Sequence, residues 1–386
     1  MNQLSLGVVG RSSKENEHRV ALHPRHLDRI HSDLRARMVF ENGYGERLGI
    51  SDAEIAPLVG RMATREELIA TSDIVLMPKP TLADVTELRD GQVLWGWPHL
   101  VQDEAFTQLA IDKKMTVIAW EAMNHWTSDG QFNVHVFHMN NELAGYCSVL
   151  HAMTLIGVTG HYGRQLNAVV IGFGNTARGA VAALNALGVY DVTVLTQRAV
   201  ASVASPIQSS TLARMDVDED DPTRTITIRD QGAGRVATSA FLAEHDIIVN
   251  CVLQDTDSPL MFATNAELGA FRDGTVIVDV SCDLGMGFEC ARPTTFEEPM
   301  FEAVPGVHYY AVDHSPSYLF DSATWTISEA LLPYLRTVMA GSDAWERSET
   351  IKRATEMRDG VILNPKILSF QQRASAHPYA VGGTFG

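Results

Sequence analysis

An apolar strand that runs directly into a glycine-rich turn is the feature that most constrains how this sequence can fold. Residues 166–171 read LNAVVI, and Gly172, Gly174 and Ala177 follow in the spacing G-x-G-x-x-A. A first glycine permits a tight turn, a second lets backbone approach a pyrophosphate, and a small third residue lets the next helix pack closely. The helix N-terminus adds amide donors. The pattern predicts a dinucleotide site, and the alternative is an ordinary strand-to-helix turn.

The end of the following strand indicates which dinucleotide is bound. Residues 194–198 read VLTQR, with no Asp or Glu to accept from the ribose 2′-hydroxyl of NAD. Arg198 is a cation able to hold a 2′-phosphate, and its alternative is a solvated surface arginine. We therefore expect NADP(H), with NAD(H) as the alternative. The predicted cofactor-binding residues are Gly172, Gly174, Asn175, Thr176, Ala177 and Arg198.

Short apolar runs alternate with helix-like stretches along the whole chain. The runs lie at 4–9, 37–41, 73–77, 92–95, 115–120, 166–171, 191–195, 246–252, 275–280 and 308–312. Strands separated by helices favour parallel β-α units, and continuous apolar runs are typical of strands covered on both faces. A chain of 386 residues is long for one core. We predict an α/β fold with two parallel-sheet domains.

The remaining stretches predict helices, one insertion and a tail. Helices are expected at 24–32, 141–156, 326–340 and 344–357, and a docked or frayed tail at 371–386. Residues 201–234 form a long insertion with an acidic run, DVDEDD, at 216–221 and a strand-like stretch at 225–228. We expect the insertion to be a solvated surface loop or hairpin, which is where acidic runs usually lie. A metal site is the alternative, and because nothing else in the chain supports it, we predict no metal.

Charge and composition exclude several classes of partner. The chain has 47 acidic and 30 basic residues, a formal net charge of −17, and no Lys/Arg run, so nucleic acid and anionic membranes are not expected partners. No apolar run reaches the length of about eighteen residues that a membrane helix needs, and the N-terminus lacks a signal-peptide layout. Four cysteines without a C-x-x-C pair suit a reducing compartment. We expect a cytoplasmic protein.

Three ionisable residues follow predicted strands in the first part of the chain. Arg19 stands in EHRVALHP after the first strand, Lys79 in MPKP after the strand at 73–77, and His99 in GWPH after the strand at 92–95. Parallel sheets bind ligands at the carboxyl ends of their strands. Arginine clamps carboxylates, lysine orients an oxygen, and histidine moves protons near neutral pH. We predict a substrate site, and the alternative for each residue is an ordinary surface or structural role.

In order and spacing, these motifs resemble the alanine dehydrogenase and pyridine-nucleotide transhydrogenase superfamily. The resemblance covers most of the chain and rests on the E-x-R-V-A-L segment at 17–22, Lys79, His99, the glycine turn, VDV at 278–280 with Asp283, RPTT at 292–295 and HYYAV at 308–312. Other segments look more like the branch of N5-(carboxyethyl)ornithine synthases and, more distantly, saccharopine dehydrogenases: GWPH at 96–99, AGY at 144–146, GFGN at 172–175 with GA at 179–180, and VDHSPS at 312–317. The insertion at 201–234 is longer than that branch leads us to expect.

The resemblance implies an architecture. It implies two Rossmann-like parallel-sheet domains, with a nucleotide domain at 141–319 inserted into a substrate domain at 1–140 and 320–386. The catalytic cleft is then expected between them, and the protein is expected to be a homo-oligomer. Without the resemblance, the C-terminal helices would be assigned to the second domain.

The resemblance also implies a reaction. The expected activity is the NADPH-dependent reductive condensation of a 2-oxo acid, pyruvate, with the side-chain amine of a diamino acid, ornithine or lysine, to give an N-(1-carboxyethyl)amino acid. The alternatives are oxidative deamination as in alanine dehydrogenases, a saccharopine-type reduction with 2-oxoglutarate, and a regulator that binds nucleotide without catalysis.

Roles for single residues come from the same resemblance. Arg19 is implied to bind the oxo-acid carboxylate, Lys79 to orient that acid, and His99 to act as general acid and base. Asp283 is implied to contact the nicotinamide ribose or the incoming amine. Asp313, with His314 as a weaker neighbour, is expected to bind the cation of the second substrate, and the alternative for Asp313 is capping of the next turn.

Overall fold

The structure, a computed structural model, describes residues 3–197, 207, 209–229 and 234–382. The chain divides into two compact units. The first comprises Met1–His138 and Phe320–Gly386, and the second comprises Met139–Leu319, so the second unit interrupts the first along the sequence. In the described part of the chain, no helix combines the length and the apolar character that crossing a membrane requires.

Most strands are short and buried. In chain order, the strands are β1 (Leu6–Val8), β2 (Met38–Glu41), β3 (Arg61–Ala63), β4 (Ile74–Met77), β5 (Val93–Gly96), β6 (Thr116–Ala119), β7 (Asn124–Trp126), β8 (Phe132–His135), β9 (Asn167–Ile171), β10 (Asp191–Thr196), β11 (Thr211–Val217), β12 (Thr225–Arg229), β13 (Gly234–Ala237), β14 (Ile247–Asn250), β15 (Met261–Ala263), β16 (Thr275–Asp279), β17 (Gly287–Phe288), β18 (Met300–Val304), β19 (Val307–Tyr310), β20 (Thr355–Arg358) and β21 (Val361–Ile362).

Helices connect these strands. They are α1 (Ser32–Arg35), α2 (Asp52–Ile55), α3 (Arg65–Thr71), α4 (Leu82–Glu87), α5 (Glu104–Asp112), α6 (His138–Leu155), α7 (Asn175–Ala186), α8 (Thr238–Leu242), α9 (Asn265–Leu268), α10 (Phe320–Leu331), α11 (Leu335–Met339), α12 (Ser342–Arg347), α13 (Glu349–Ala354) and α14 (Pro365–Phe370). Short 3₁₀ helices lie at Pro24–Arg29, Glu46–Leu48, Ala56–Leu58, Trp120–Ala122, Ser315–Leu319 and Leu332–Tyr334.

Each unit contains one large sheet with six parallel strands in the same order. In the first unit the order is β3-β2-β1-β4-β5-β6, with antiparallel β20 and β21 beyond β6. In the second it is β11-β10-β9-β14-β16-β19, with antiparallel β12 and β13 beyond β11 and β18 beyond β19. Both orders match the doubly wound 3-2-1-4-5-6 arrangement. The predicted fold class, two Rossmann-like parallel sheets, is confirmed.

The apolar runs of the sequence become strands buried on both faces. In the first unit, all four residues of β4 are fully buried. One face of that sheet packs against Ile327 and Leu331 of α10 and Leu335 and Val338 of α11. The chain after the second unit therefore returns to the core of the first, because these helices carry the apolar surface that covers it.

Three predicted helices differ from the structure. The stretch at 24–32 forms a 3₁₀ helix, Pro24–Arg29, before α1 begins. The stretch at 326–340 is divided between α10 and α11 near Pro333, since proline lacks the amide that continues an α-helix. The prediction of a helix at 344–357 is wrong at its C-terminal end, because Thr355–Arg358 forms strand β20 and pairs with β6.

In its described residues the insertion forms an antiparallel hairpin, one of the two forms expected for it, and the tail is docked. Strands β11 and β12 form an antiparallel pair that extends the sheet of the second unit, where the sequence predicted one short strand. In the tail, Arg373 is fully buried and donates from Nη1 to Gln108 Oε1 at 2.7 Å. The tail is docked as far as residue 382, and residues 383–386 lie outside the described part.

Candidate active site

The sheet of the first unit brings two predicted residues to one edge. Lys79 follows β4 and His99 follows β5, and these strands are parallel neighbours in register. Their carboxyl ends therefore lie side by side, as the sequence led us to expect. Both side chains are half-buried. An ammonium group and an imidazole at the edge of a parallel sheet can bind an anion and exchange a proton with it.

Arg19 is buried beside the segment that carries His99. Its side chain is 3% exposed and pairs with the side chain of Glu17, which is 1% exposed. The pair is bidentate, with Nε donating to Oε1 at 2.8 Å and Nη2 donating to Oε2. The guanidinium lies over the ring of Trp97 at 5.3 Å. Arg19 is therefore a fixed, buried cation, not a solvated surface residue.

Glu121 is a site residue that sequence reasoning missed. It follows β6, the next parallel strand, so it belongs to the same edge as Lys79 and His99. Its Oε1 accepts from the backbone N–H of His99 at 2.7 Å. His99 has φ +50°, a left-handed conformation that is unfavourable for a side-chain residue. The hydrogen bond from the His99 amide to the carboxyl group supports that conformation. The available signal was the position of Glu121 directly after a predicted strand.

The electrostatics of this edge are dominated by buried carboxyl groups. Burial and the charge of Glu356 raise the pKa of Glu121 to about 8, while the His99 amide and Lys79 act in the opposite direction. Burial also raises the pKa of Glu356 to about 7, although Asn364 donates to it. Proton affinities of this size are typical of functional sites.

An aromatic wall and a neutral histidine complete this part of the first unit. The rings of Trp97 and Trp120 lie 4.7 Å apart, and Phe137 stacks on Trp120 at 4.9 Å. His135, on β8, contacts the backbone oxygen of Trp120 through Nε2 at 3.1 Å. Burial lowers the pKa of His135 to about 4, so its imidazole is neutral at pH 7.

The glycine turn of the second unit has the shape that a dinucleotide needs. Gly172 has φ +112°, and a Cβ there would approach the backbone oxygen of Cys251 at 3.1 Å. Gly174 is exposed and is the N-cap of α7, with no atom within 4 Å of the place a Cβ would take. Ala177 is fully buried. The open space at the N-terminus of a twelve-residue helix therefore fits a pyrophosphate.

Two further glycines let the helices behind this turn approach each other closely. A Cβ at Gly179 of α7 would meet the backbone oxygen of Glu142 at 1.7 Å, and one at Gly145 of α6 would meet that of Thr176 at 1.9 Å. Sequence reasoning used both glycines only as marks of resemblance. Asn175 and Thr176, the other predicted cofactor contacts, are half-buried in the first turn of α7. Arg198 lies outside the described residues.

Asp283 lies in a loop that a buried carboxyl group organises. Asp279, the last residue of β16, accepts from the Tyr309 hydroxyl, from Asn250 Nδ2 at 3.0 Å and from the Ser281 N–H at 3.1 Å. Burial raises the pKa of Asp279 to about 6. Asp283, 7% exposed, follows in this loop. The sequence pointed to Asp283 and missed the supporting role of Asp279.

Asp313 and His314 follow β19, the strand next to β16. His314 Nδ1 lies 2.7 Å from Asp313 Oδ1, and the His314 side chain is fully buried while that of Asp313 is 24% exposed. The structure therefore makes His314 the direct partner of Asp313. Arg19, Lys79 and His99 belong to the first unit, and Asp283, Asp313 and His314 to the second.

Within the described residues, no three His, Cys, Asp or Glu side chains converge as metal ligands would. That the protein functions without a metal stays a prediction.

Known families match the chain along both units. The model for the N-terminal domain of alanine dehydrogenase/PNT matches residues 8–144, and the model for the C-terminal domain matches residues 144–365. The chain belongs to the alanine dehydrogenase/PNT family. It is therefore an NAD(P)-dependent oxidoreductase that acts on the CH–NH groups of amino acids, as predicted.

Individual members of the family resemble the chain at low identity. Alanine dehydrogenase of Mycobacterium tuberculosis is 28% identical over 381 residues, covering 92% of this chain and 94% of that protein. N(5)-(carboxyethyl)ornithine synthase of Clostridium botulinum is 25% identical over 329 residues, covering 82% of this chain and 89% of that protein. The resemblance inferred from the motifs is confirmed for both.

Solved structures of the family share the fold. An L-alanine dehydrogenase superposes with a TM-score of 0.73 at 19% identity, over 95% of this chain and 99% of that one. The transhydrogenase from Sinorhizobium meliloti gives a TM-score of 0.67 at 20% identity, over 93% and 99%. At this identity the comparison establishes the architecture.

Proposed function

We propose that this family member catalyses the NADPH-dependent reductive condensation of pyruvate with the side-chain amine of ornithine or lysine, giving an N-(1-carboxyethyl)amino acid. The observation that carries the proposal is the edge of the first unit where Lys79 and His99 lie together, with Arg19 buried beside the His99 segment. Similarity to a carboxyethylornithine synthase over 82% of the chain supports the reaction type. We also expect a cytoplasmic homo-oligomer.

Arg19 is proposed to bind the carboxylate of the oxo acid. Glu17 holds the guanidinium in one plane, and the Trp97 ring lies against it. A cation fixed in this way loses little conformational entropy when it binds, which favours a defined orientation of the acid. Lys79 then lies at the edge that would face the carbonyl oxygen and stabilises the negative charge that develops there.

His99 is proposed to move the protons of the condensation. The neutral side-chain amine attacks the ketone carbon, His99 accepts a proton from nitrogen, and the carbonyl oxygen takes a proton from solvent, which gives the carbinolamine. His99 then returns its proton to the hydroxyl group, which leaves as water and yields a protonated imine. The bound dinucleotide supplies the hydride that reduces the imine to a secondary amine. The positive φ of His99 fits a residue held for function.

The second unit is proposed to hold the cofactor and to orient the amine. Gly172, Gly174 and the first turn of α7 would hold the pyrophosphate, and Arg198 the 2′-phosphate. Asp283 would contact the nicotinamide ribose or the amine. Asp313, oriented by His314, would bind the cation of the amino acid.

The test is consumption of reduced cofactor by purified protein with pyruvate and, in turn, ornithine, lysine and ammonia. We expect oxidation of NADPH only with a diamino acid, and a product heavier than the imine by two hydrogens. NADH in parallel should be the poorer cofactor. Catalytic efficiency at least about tenfold in favour of NADH would contradict the role of Arg198.

Similarity to alanine dehydrogenases favours a second candidate, oxidative deamination of a free amino acid. Turnover with pyruvate and ammonia alone would establish it in place of the condensation. Activity only with 2-oxoglutarate would indicate the saccharopine-type reaction. Cofactor binding without turnover on any amine would indicate a regulator.

A further inference from the structure

The proposed mechanism assigns no role to two carboxyl groups, each of which has a buried oxygen. Glu121 follows β6, and Glu356 lies in β20, the antiparallel neighbour of β6. The register between these strands shifts between Thr355 and Met357, which places Glu356 at the irregularity. Bulges of this kind re-aim a side chain and are common beside active sites. Glu356 is 4% exposed.

In each of the two carboxyl groups, one oxygen accepts a hydrogen bond. Glu121 Oε1 accepts from the His99 N–H at 2.7 Å, and Glu356 Oε1 accepts from Asn364 Nδ2 at 2.8 Å. On each residue the second oxygen, Oε2, is buried and has no hydrogen-bond partner among the described residues. Two buried carboxylates with unsatisfied oxygens would be costly, and their like charges would repel. A single proton held by the pair reduces both costs.

The surroundings favour one negative charge on the pair. Among the described residues, the groups that act on the charge of Glu121 include Lys79 from the loop after β4, the His99 amide from the loop after β5, and Glu356 from β20. His135 on β8 contacts the backbone of Glu121 and is neutral. Lys79 favours a negative charge on Glu121, whereas burial and the charge of Glu356 oppose it. The raised pKa values, about 8 for Glu121 and about 7 for Glu356, agree with a pair that holds one proton between these two pH values.

We propose that Glu121 and Glu356 share one proton and act as a single positioning unit for the catalytic edge. The pair holds the left-handed turn at His99 through Glu121 Oε1 and presents one negative charge to Lys79. A second negative charge would bind the Lys79 ammonium more tightly, at the expense of the oxo acid. Neither residue is assigned a contact with substrate. The inference rests on the proposed roles of His99 and Lys79.

The first test is the pH dependence of stability. A carboxyl group whose pKa is higher in the folded than in the unfolded state stabilises the fold below its unfolded pKa and loses that contribution as pH rises through its folded pKa. The wild-type pair should therefore reduce the Tm as pH rises from about 5 to 8. Glu356→Gln keeps the size of the side chain and an acceptor for Asn364, and removes the shared proton. We expect its decline in Tm over this range to be smaller than that of wild type.

Glu349→Gln is the matched control. Glu349 begins α13, just before β20, and its side chain is 51% exposed in a pair with Arg353. This variant should show the wild-type decline. An equal decline in wild type and Glu356→Gln would overturn the proposal. Glu121→Gln removes the other half of the pair and should reproduce the effect of Glu356→Gln, and a full wild-type decline in Glu121→Gln would also overturn it.

The second test is the pH profile of kcat. Without the charge of Glu356, Glu121 ionises at lower pH. The change in kcat that accompanies ionisation of the pair should therefore occur at lower pH in Glu356→Gln than in wild type. A role limited to packing would leave the profile in place. The stability test needs no substrate, so absence of turnover would contradict the proposed function and leave the shared proton testable. If Glu356→Gln turns over with the wild-type pH profile of kcat and the wild-type decline of Tm with pH, the shared proton is refuted and the proposed function is not.

Discussion

The two units share the order of their six parallel strands and differ in the loop after the first strand of each sheet. After β9, the second unit has an exposed Gly174 and a twelve-residue helix whose N-terminus faces open space. After β1, the first unit has no such opening: the N–H of Gly10 donates to Glu41 Oε2 at 2.7 Å, and that of Ser13 donates to Asp84 Oδ1 at 3.0 Å. The amides at this place in the fold therefore face open space in the second unit and carboxylates in the first.

This difference supports the proposal that the two units bind different kinds of ligand. Asp84 is fully buried and also accepts from Arg65 at 2.8 Å, so the loop after β1 is closed around a negative charge. A phosphate would be repelled there. The substrate site proposed for the first unit is instead at the ends of β4, β5 and β6, which Lys79, His99 and Glu121 follow. The strand order determines at which edge of the sheet a site can form, and the side chains at that edge determine which ligand it can bind.

Replacing His99 is the strongest way to test the assignment of chemistry to the first unit. For His99→Ala we expect turnover to fall by roughly 10²–10⁴-fold, because proton transfer during condensation is lost. Cofactor binding, measured by fluorescence of the reduced dinucleotide, should be unchanged. His125→Ala removes an exposed histidine of the same unit and should keep full activity. More than half of the wild-type turnover in His99→Ala would refute the assignment.

A charge at Gly174 tests the assignment of the cofactor to the second unit. Gly174→Asp places a carboxylate at the N-terminus of α7 without a steric clash. We expect NADPH to bind on the order of 30-fold more weakly, because the carboxylate occupies the positive helix end and repels the pyrophosphate. Gly234→Asp, at another open glycine, should bind NADPH as wild type does. Equal dissociation constants of the two variants for NADPH would show that the glycine turn does not bind the cofactor.

A conservative change at Arg19 sharpens the comparison within the first unit. Arg19→Lys loses the planar guanidinium and with it the proposed two-bond contact to the oxo-acid carboxylate. The KM for the oxo acid should therefore rise about fivefold to tenfold, with a smaller change in kcat. Arg29→Lys, at a surface pair with Glu329, is the control and should leave both constants as they are. If the KM of Arg19→Lys for the oxo acid does not change, the carboxylate binds elsewhere.

Local sequence was a good guide where the structure depends on neighbouring residues. The apolar run before Gly172 became a strand, and the glycine spacing became an open helix N-terminus. The guide failed at Thr355–Arg358, where a helical pattern continues from α13. Pairing with β6 decides the structure there, because tertiary contacts override weak local preference.

The amino-acid sequence was sufficient to establish the α/β class, the parallel strands, the glycine turn and the positions of Lys79 and His99 at strand ends. Each of these depends on residues adjacent along the chain, through hydrophobic patterning and turn chemistry. The charged groups that are buried together became known only from the folded chain. Glu121 and Glu356 lie far apart in the sequence, and their proton affinities arise from shared burial and repulsion, which exist only once β20 pairs with β6.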